Sequence, residues 1–232
     1  MQVVFVCGGA GTRLRPRPTG PKSLVSVGAA TLLARLIDRL GPLHRSPRPP
    51  VVIVDASDGE TPGAVRDLLP SAQLVRQPRP DGVANALLLA RPCLDDAVLV
   101  ALGDLFLEGD FAAIPSGAAI AIWRGAPASE TKKNFGVAID GGGRVTNVVE
   151  KPEAVALFDC GVGVYVLTRT AISCFENAPV DARGERGITG AIQTAIDAGI
   201  AFRTFSFSGY YNNVNSHDDL AAVEGFLGST VS

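Results

Sequence analysis

A glycine-rich segment near the N-terminus, followed by cationic residues, carries the strongest chemical signal in the sequence. Gly8, Gly9 and Gly11 precede Arg13, and Lys22 comes nine residues after that arginine. Glycines let the backbone turn sharply and present N–H groups to a ligand. Arginine and lysine add positive charge for phosphate oxygens. The segment is therefore predicted to bind the phosphates of a nucleotide, through Gly8, Gly9, Ala10, Gly11, Thr12, Arg13 and Lys22.

The spacing of these residues excludes two common phosphate-binding loops. No Gly-Lys-Ser/Thr sequence closes the segment, as it would in a Walker loop. The glycines also do not follow the G-x-G-x-x-G pattern of dinucleotide-binding proteins. An NAD-dependent oxidoreductase is therefore excluded, both by the glycine spacing and by the arginine and lysine that follow.

Two further positions suggest nucleotide chemistry. Asp104 comes directly after the apolar run Ala97–Leu102, and ligands of open α/β sheets collect at the carboxyl ends of strands. A carboxylate there is suited to hold Mg²⁺ beside a triphosphate. Gln77 and Gly82 lie between a predicted strand and a predicted helix. Because an amide can pair with both a ring N–H and a carbonyl, Gln77 favours a pyrimidine base.

The elements that must position these residues alternate through the first half of the chain. Apolar strands and amphipathic helices in alternation predict βαβ units and a mostly parallel sheet. The second half contains strands separated by short turns, which predicts a mixed or antiparallel extension. Strands are predicted at Val3–Cys7, Val51–Val54, Gln73–Val75, Ala97–Leu102, Ala118–Trp123, Gly136–Ile139, Val145–Val149, Val162–Leu167 and Phe202–Phe207, and helices at Thr31–Leu40, Gly63–Leu69, Val83–Ala90, Arg169–Glu176, Ile188–Ala198 and Asp218–Leu227.

Length and composition limit the classes of partner. The 232 residues predict a single α/β domain, with a nucleotide half at about 1–115 and an acceptor half at about 116–232. A net charge of −2 provides no general positive field, so nucleic acid is not expected as a partner. The first residues lack the charged start and cleavage site of a signal peptide, and the sequence has no apolar run of about 20 residues, so a membrane is not expected as a partner either. A cytoplasmic location with reduced cysteines is predicted.

The ordered motif G-G-x-G-T-R-L-x-P followed by P-K-x-L-V resembles the signature of the sugar-phosphate nucleotidyltransferases. The resemblance implies the fold of the nucleotide-diphospho-sugar transferases: a Rossmann-like, mostly parallel central sheet with a small mixed extension. It implies transfer of a nucleotidyl group from a nucleoside triphosphate to a sugar-1-phosphate, with release of pyrophosphate. It also implies that Gly8–Gly11 hold base and phosphates, that Arg13 binds the β- and γ-phosphates, and that Lys22 contacts the α-phosphate region.

The resemblance continues along the chain and implies further site residues. Gln77 and Gly82 match the base-reading segment of the thymidylyltransferases, and Asp104 matches the aspartate that binds the metal. Segments that resemble F-G-V, E-K-P and G-x-Y imply an acceptor site built from Gly136, Glu150, Lys151, Gly163 and Tyr165. Family members are often dimers or tetramers, so a homo-oligomer is compatible with the resemblance.

Two positions depart from the family pattern and leave the acceptor open. Gly190 follows Thr189 where an aspartate is common, and Asn213 stands where the family has its second metal-binding aspartate. Asparagine offers Mg²⁺ an oxygen without a charge. Two alternatives therefore stay open: a cytidylyl- or guanylyltransferase acting on a non-sugar phosphate or phosphonate, and a homologue that binds nucleotide-sugars without turnover. Asp218 and Asp219 are interpreted as acids at the start of a helix.

Overall fold

Strands and helices alternate through the first half of the chain, as the sequence predicts. The computed structural model describes residues 1–8 and 20–230, so the predicted phosphate-binding residues Gly9, Ala10, Gly11, Thr12 and Arg13 lie outside the described residues. The elements of this half are β1 (Gln2–Val6), β2 (Ser26–Val27), β3 (Ala30–Thr31), α1 (Leu32–Leu40), β4 (Val51–Asp55), α2 (Thr61–Leu68), β5 (Gln73–Gln77), α3 (Val83–Ala90) and β6 (Ala97–Leu102).

The second half supplies the remaining strands and helices. Its elements are β7 (Leu105–Phe111), β8 (Ala119–Trp123), α4 (Ala128–Lys133), β9 (Phe135–Ile139), β10 (Val145–Glu150), β11 (Asp159–Thr168), α5 (Arg169–Cys174), α6 (Ile188–Asp197), β12 (Arg203–Asn213) and α7 (His217–Thr230). Short 3₁₀ turns occur between them, including one at Lys22–Leu24. No helix within residues 1–8 and 20–230 is long and apolar enough to cross a membrane.

One large sheet organises the described chain, in the order β5-β4-β1-β6-β11-β8-β12-β7, with β9 and β10 attached through β11. The strands β5, β4, β1 and β6 pair in parallel. Strand β11 is antiparallel to β6 and to β8, whereas β12 is parallel to β8. All strands along this path except β11 and β7 therefore run in one direction. The predicted mostly parallel sheet with a mixed extension is confirmed.

The central strands are buried on both faces, which explains their continuous apolar sequences. In β1, Val4 and Val6 face one apolar cluster, whereas Val3 and Phe5 face a second cluster on the opposite side. Helices α3, α5 and α6 contribute to the first cluster, and α1 to the second. Packing on both faces fixes the strands, so the residues at their carboxyl ends are held in fixed relative positions.

The pairing of β7 with β12 depends on two glycines that lie opposite each other, Gly109 and Gly209. Both have positive φ, at 152° and 139°. A Cβ on Gly109 would lie 2.1 Å from the carbonyl oxygen of Ser208, and one on Gly209 would lie 2.3 Å from that of Glu108. The close approach continues to the end of the ladder, where Asn213 pairs with Leu105, the residue after Asp104.

Strand β7, the short helix α4 and the second half of β12 were not predicted. Glycine and acidic residues are depleted in strands, and β7 contains Glu108, Gly109 and Asp110. In the folded chain Glu108 forms an ion pair with Arg39, and Gly109 permits the contact with β12. Tertiary contacts therefore override the weak local preference of this segment.

Replacing Gly109 with alanine is expected to destabilise the chain by about 2 kcal/mol or more, because the new methyl group meets backbone and the residue has positive φ. Gly117→Ala is the matched control, since an added Cβ there meets nothing within 4 Å. The control is expected to change the free energy of unfolding by no more than about 0.5 kcal/mol. Urea denaturation measures both values, and equal stability of the two variants would contradict the role of the glycine pair.

Candidate functional site

A cleft of about 830 Å³ lies where the carboxyl ends of β1, β5 and β6 meet the second half of the chain. This volume suits a nucleotide-sized ligand. The cleft is lined by residues predicted for the nucleotide and by residues predicted for the acceptor. Those on the nucleotide side are Gly8, Gln77, Gly82, Asp104 and Asn213, and those on the acceptor side are Glu150, Lys151, Gly163 and Tyr165.

Lys22 lies at the edge of this cleft and forms an ion pair with Asp104. Its Nζ is 2.6 Å from Asp104 Oδ2 and 2.5 Å from Asn215 Oδ1. The two charged side chains are only 14% and 25% exposed, so water screens their attraction less than on an open surface. The structure thus brings together two of the predicted catalytic residues and adds Asn215, which the sequence did not single out.

Asn213 completes this group from the end of β12. With its nitrogen toward the carboxylate, the Asn213 amide donates to Asp104 Oδ2 at 3.1 Å and to Oδ1 at 3.3 Å. The backbone is also tied here, because Val214 N–H donates to the Asp104 carbonyl at 2.9 Å. Asp104 therefore accepts a hydrogen bond from Lys22 and, in this orientation of the amide, also from Asn213. We call Lys22, Asp104, Asn213 and Asn215 the Asp104 cluster.

A close backbone contact fixes Asp104 beside the end of β1. Gly103 N–H donates to the Val6 carbonyl at 2.8 Å, and a Cβ on Gly103 would lie 3.0 Å from Cys7. Only glycine leaves room for this approach. Burial raises the pKa of the Cys7 thiol to about 12, so this cysteine is a neutral packing group at the start of the glycine segment.

The Gln77 side chain is held in one orientation by two acceptors. Its Nε2 donates to Asp81 Oδ1 at 2.6 Å and to the Gly82 carbonyl at 3.1 Å. Both amide hydrogens are therefore engaged, and Oε1 faces Gly8, where an added Cβ would lie 3.3 Å away. The sequence predicted that this amide both donates to and accepts from a base. In the structure the nitrogen already has two partners within the chain, so the oxygen is the atom directed toward Gly8, and the reading of a base by Gln77 stays a prediction.

Residues 77–82 make a second close contact, with the loop before α6. Gly82 has a φ of 104°, and a Cβ there would lie 2.3 Å from the Arg186 carbonyl oxygen. Arg186 N–H donates to the Asp81 carbonyl at 2.8 Å, and Ala84 N–H donates to the Arg186 carbonyl at 3.1 Å. Residues 77–82 and the loop before α6 are thus joined through their backbones.

Glu150 and Lys151 lie on the opposite wall of the cleft, at the end of β10. Glu150 Oε2 accepts a hydrogen bond from Thr189 Oγ1 at 2.8 Å, which ties this wall to α6. Lys151 is the non-glycine residue with positive φ in the described chain, at 47°. Its N–H donates to the Asn134 carbonyl at 2.8 Å. Non-glycine residues in this conformation concentrate at functional sites.

The floor between the two walls is formed by β11. Tyr165 is buried there and stacks on Phe135 with ring centroids 6.0 Å apart. Burial raises the pKa of Tyr165 well above its usual range, so the side chain stays neutral. Gly136 does not line the cleft, although Phe135 does. A Cβ on Gly136 would lie 2.6 Å from the Phe158 ring, so the structure gives this glycine a packing role.

An ion pair between Lys133 and Asp219 closes the end of the cleft next to the Asp104 cluster. Asp219 Oδ2 accepts from the backbone N–H of Asn215 at 2.9 Å and of Ser216 at 2.8 Å, while Ser216 Oγ accepts from Asp219 N–H. This reciprocal arrangement is a capping box. Asp218 and Asp219 lie in the first turn of α7, as predicted, and Asp219 also fixes the backbone of Asn215.

The arrangement can be compared with known proteins. A family model described as nucleotidyl transferase matches residues 2–229. The chain belongs to this family. The predicted resemblance to sugar-phosphate nucleotidyltransferases is therefore confirmed.

Individual relatives of this nucleotidyl transferase are longer than the chain. It is 30% identical to a glucose-1-phosphate thymidylyltransferase of Streptomyces antibioticus, over 96% of the chain and 65% of that protein. It is 25% identical to the bifunctional protein GlmU of Methanocaldococcus jannaschii, over 98% of the chain and 54% of that protein. The chain thus spans between about half and two thirds of the length of these curated relatives.

Solved structures agree with the fold of the nucleotidyl transferase. A UDP-glucose pyrophosphorylase complexed with UDP-glucose superposes with a TM-score of 0.81 at 16% identity, over 99% of this chain and 98% of that one. At this identity the likeness shows the fold alone.

Sequence reasoning missed several residues of this nucleotidyl transferase that contact the predicted ones. Asn215 was not singled out, although it lies only two residues after Asn213, just beyond the end of β12. Asp81 and Lys133 gave no local signal, because each acts on a partner through a tertiary or turn contact. The missed residues support the predicted ones rather than replace them.

Asp219 is expected to make stability depend on acid pH. Burial by itself raises the pKa of this carboxyl, but hydrogen bonds from Lys133, Asn215 and Ser216 outweigh burial and hold the pKa below its usual range. A carboxyl whose pKa is lowered by folding stabilises the chain above its unfolded pKa of about 4 and loses that contribution as pH falls through the folded pKa.

The difference in unfolding free energy between the parent and Asp219→Asn is therefore expected to be constant from pH 5 to 7 and to shrink below about pH 4. Urea denaturation at a series of pH values measures it. Asp197→Asn serves as a control on an exposed helical carboxylate. A difference that grows on acidification would contradict the assignment.

Proposed function

We propose that the chain transfers a nucleotidyl group from a nucleoside triphosphate to a sugar-1-phosphate, releasing pyrophosphate and forming a nucleotide-sugar. The observation that carries the proposal is the joint lining of one cleft by two sets of residues. Lys22 and Asp104 pair beside the end of β1, Glu150 and Lys151 line the opposite wall, and Tyr165 lies on the floor between them. Such a cleft can hold a triphosphate and a phosphorylated acceptor side by side.

The reaction forms a bond between an acceptor phosphate oxygen and the α-phosphorus and breaks the bond from that phosphorus to the β-phosphate bridge. A phosphate monoester has a second pKa near 6 and is mostly dianionic at neutral pH, so it needs no general base. Among the residues that line the cleft, the described chain offers no histidine. Positioning and charge neutralisation then provide the catalysis, with Lys22 Nζ as the described cation beside Asp104.

A divalent metal fits the residues of the Asp104 cluster. Mg²⁺ prefers oxygen ligands and is usually held by one or two carboxylates together with substrate phosphates. Asp104 supplies one carboxylate, and Asn213 and Asn215 supply amide oxygens. No group of three or more His, Cys, Asp or Glu side chains suited to a metal occurs in the described ranges. When bound, Mg²⁺ would neutralise charge on the triphosphate, with Asp104 and Asn213 as its protein ligands.

The orientation of Gln77 favours a base that presents an N–H donor. The free Oε1 can accept from the imide N–H of uracil or thymine, whereas the corresponding ring nitrogen of cytosine is an acceptor and would be repelled. A uridine or thymidine triphosphate is therefore the proposed nucleotide. The pyrimidine preference thus rests on the carbonyl of the amide alone, held in place by Asp81 and Gly82.

A second candidate keeps the same scaffold and changes the acceptor. Gly190 and Asn213 both line the cleft, and both depart from the residues common in sugar-phosphate nucleotidyltransferases. A glycine at 190 removes a side chain that could hydrogen-bond a sugar hydroxyl. This observation favours a non-sugar phosphate or phosphonate as the acceptor, and an acceptor panel separates this candidate from the first proposal.

The proposal is tested by pyrophosphate release from UTP, dTTP, CTP, GTP and ATP, each with glucose-1-phosphate, other sugar-1-phosphates and non-sugar phosphates. We expect release with a sugar-1-phosphate and a uridine or thymidine triphosphate. Asp104→Ala is expected to lower the rate at least about 100-fold, the scale of losing one electrostatic stabiliser. Asp110→Ala removes an exposed acid from β7 outside the cleft and is expected to keep the rate.

Each outcome of this panel decides between candidates. Release only with non-sugar acceptors would replace the first proposal by the second. Tight nucleotide binding without release from any pair would identify a binding protein without turnover. Turnover of Asp104→Ala near the parent rate would overturn the assignment of this carboxylate.

Asp81 is expected to control the choice of base through Gln77. In Asp81→Ala the amide keeps only the Gly82 carbonyl as a partner and can turn its nitrogen toward the base. The ratio of kcat/KM for UTP over CTP is then expected to fall about 10-fold or more, the scale of one hydrogen bond in discrimination. Asp81→Asn, whose Oδ1 still accepts from Gln77, is expected to retain most of the ratio. An unchanged ratio in Asp81→Ala would contradict the orientation argument.

A further inference from the structure

We infer that Arg186 is a positioning residue that fixes two walls of the cleft from one side chain: the segment 77–82, which carries Gln77, and the loop 179–185 on the acceptor side. The inference rests on the proposed function, because it concerns the places where nucleotide and acceptor would bind. Three observations carry it: the two partners of the guanidinium group, the closed shape of loop 179–185, and the path of hydrogen bonds from Arg186 to Gln77.

The guanidinium group of Arg186 bridges two parts of the chain. Its Nη1 donates a hydrogen bond to Asn85 Oδ1 at 2.7 Å, and its Nε donates to the Ala178 carbonyl at 2.9 Å. Asn85 belongs to α3, which follows segment 77–82, and Ala178 directly precedes loop 179–185. The donors of a guanidinium lie in one plane and in fixed directions. Binding both partners at once therefore fixes α3 and the start of the loop relative to each other.

Loop 179–185 has a defined shape of its own. Asp181 N–H donates to the Glu185 carbonyl at 2.9 Å, and Gly184 N–H donates to the Asp181 carbonyl at 2.9 Å. Asp181 Oδ1 also accepts from the backbone N–H of Arg183 at 2.8 Å and of Glu185 at 2.9 Å. These hydrogen bonds lie within the loop, so they set its shape and leave its place in the fold to other contacts. The loop lines the cleft with Val180, Asp181, Arg183 and Glu185.

Arg186 sets the place of this loop. Its Nε reaches across the base of the loop to Ala178, so both ends of residues 179–185 are tied to one side chain. Two backbone hydrogen bonds attach the same end of the loop to the nucleotide side. Arg186 N–H donates to the Asp81 carbonyl at 2.8 Å, and Ala84 N–H donates to the Arg186 carbonyl at 3.1 Å. The rim on the acceptor side is thus held at a fixed distance from the nucleotide side.

The same side chain acts on Gln77 through two intermediate residues. With its oxygen held by Arg186, the Asn85 amide directs Nδ2 to the Asp81 carbonyl at 3.0 Å. Asp81 in turn accepts from Gln77 Nε2 through Oδ1 at 2.6 Å. Because a hydrogen bond from a charged donor is roughly twice as strong as one between neutral groups, Arg186 favours this orientation of Asn85 over the reverse one. Arg186 therefore contributes to the orientation of Gln77, although it is not one of the described residues that line the cleft.

The first measurement is hydrogen exchange of the full chain without ligands, followed by mass spectrometry. Exchange rates report how often backbone hydrogen bonds open. In Arg186→Ala, peptides that cover residues 77–86 and 178–187 are expected to exchange about 10-fold faster than in the parent, the scale of losing one charge-assisted hydrogen bond. In Asn85→Ala, only residues 77–86 are expected to exchange faster, because Arg186 keeps Ala178 as a partner.

Two further variants control for the loss of an arginine and for folding. Arg169→Ala also removes a guanidinium that binds two backbone carbonyls, those of Arg91 and Leu94, but at the opposite end of β6 from the cleft. It is expected to leave exchange at residues 77–86 and 178–187 at the parent rate. Arg186→Lys keeps the charge but lacks the fork of donors, and it is expected to show the same two increases at about 3-fold.

The second measurement uses turnover of the nucleotide and acceptor pair that the parent prefers. In Arg186→Ala the KM values of nucleotide and of acceptor are each expected to rise about 10-fold, while kcat stays within about 3-fold, because Lys22 and Asp104 keep their contact. Asn85→Ala is expected to raise the KM of the nucleotide alone. Arg169→Ala is expected to lower the free energy of unfolding and to leave both KM values unchanged.

The outcomes separate this inference from the proposed function. An unchanged exchange rate in either segment of Arg186→Ala, or a rise in only one of its two KM values, would overturn the inference and leave nucleotidyl transfer intact. If that variant fails to fold, Arg186→Lys decides in its place. Equal changes in Arg169→Ala would also overturn the inference, because the effect would then be a general loss of stability. A parent chain that turns over no pair would instead overturn the proposed function, and hydrogen exchange would still decide the role of Arg186.

Discussion

The arrangement of the site depends on the ion pair between Lys22 and Asp104, which holds the turn at Lys22–Leu24 against the residue after β6. The ion pair joins residues 82 positions apart in sequence, with Nζ and Oδ2 at 2.6 Å. Lys22 belongs to a single 3₁₀ turn, which has little stability of its own. Its position therefore depends on the sheet, which holds Asp104 at the end of β6 and Asn213 at the end of β12. Displacing β6 would separate the Asp104 carboxylate from Lys22, and displacing β12 would remove Asn213 from the cluster.

The sheet maintains this contact through places where two backbones touch. Gly103 lies against Val6 and Cys7, so the turn after β6 stays next to the end of β1. Gly109 and Gly209 let β7 and β12 approach each other, and their register brings Asn213 opposite Leu105. Side chains at these positions would hold the strands apart. The arrangement of the Asp104 cluster thus depends on three glycines that have no reactive side chain: Gly103, Gly109 and Gly209.

The sequence was sufficient for much of the architecture, and several of the site residues it predicted line one cleft in the structure. Long apolar runs such as Val51–Val54 and strongly periodic segments such as Thr31–Leu40 fold as predicted, because burial alone decides their structure. Strand β7 was missed because it contains a glycine and two acidic residues, which are depleted in strands. It forms a strand through its pairing with β12. The orientation of Gln77 was also beyond the sequence, because residue type shows what an amide can do but not which of its atoms a neighbour such as Asp81 occupies.

The backbone contact between Gly82 and Arg186 has a consequence for how ligands bind. It joins the segment predicted to read the base to the loop that precedes α6, on the acceptor side. A ligand that ordered one segment would also order the other, so a nucleotide and an acceptor bound on the two sides would share a coupling free energy. Such a coupling free energy is reciprocal. Whatever factor a bound nucleotide contributes to acceptor affinity through this contact, a bound acceptor contributes to nucleotide affinity in equal measure.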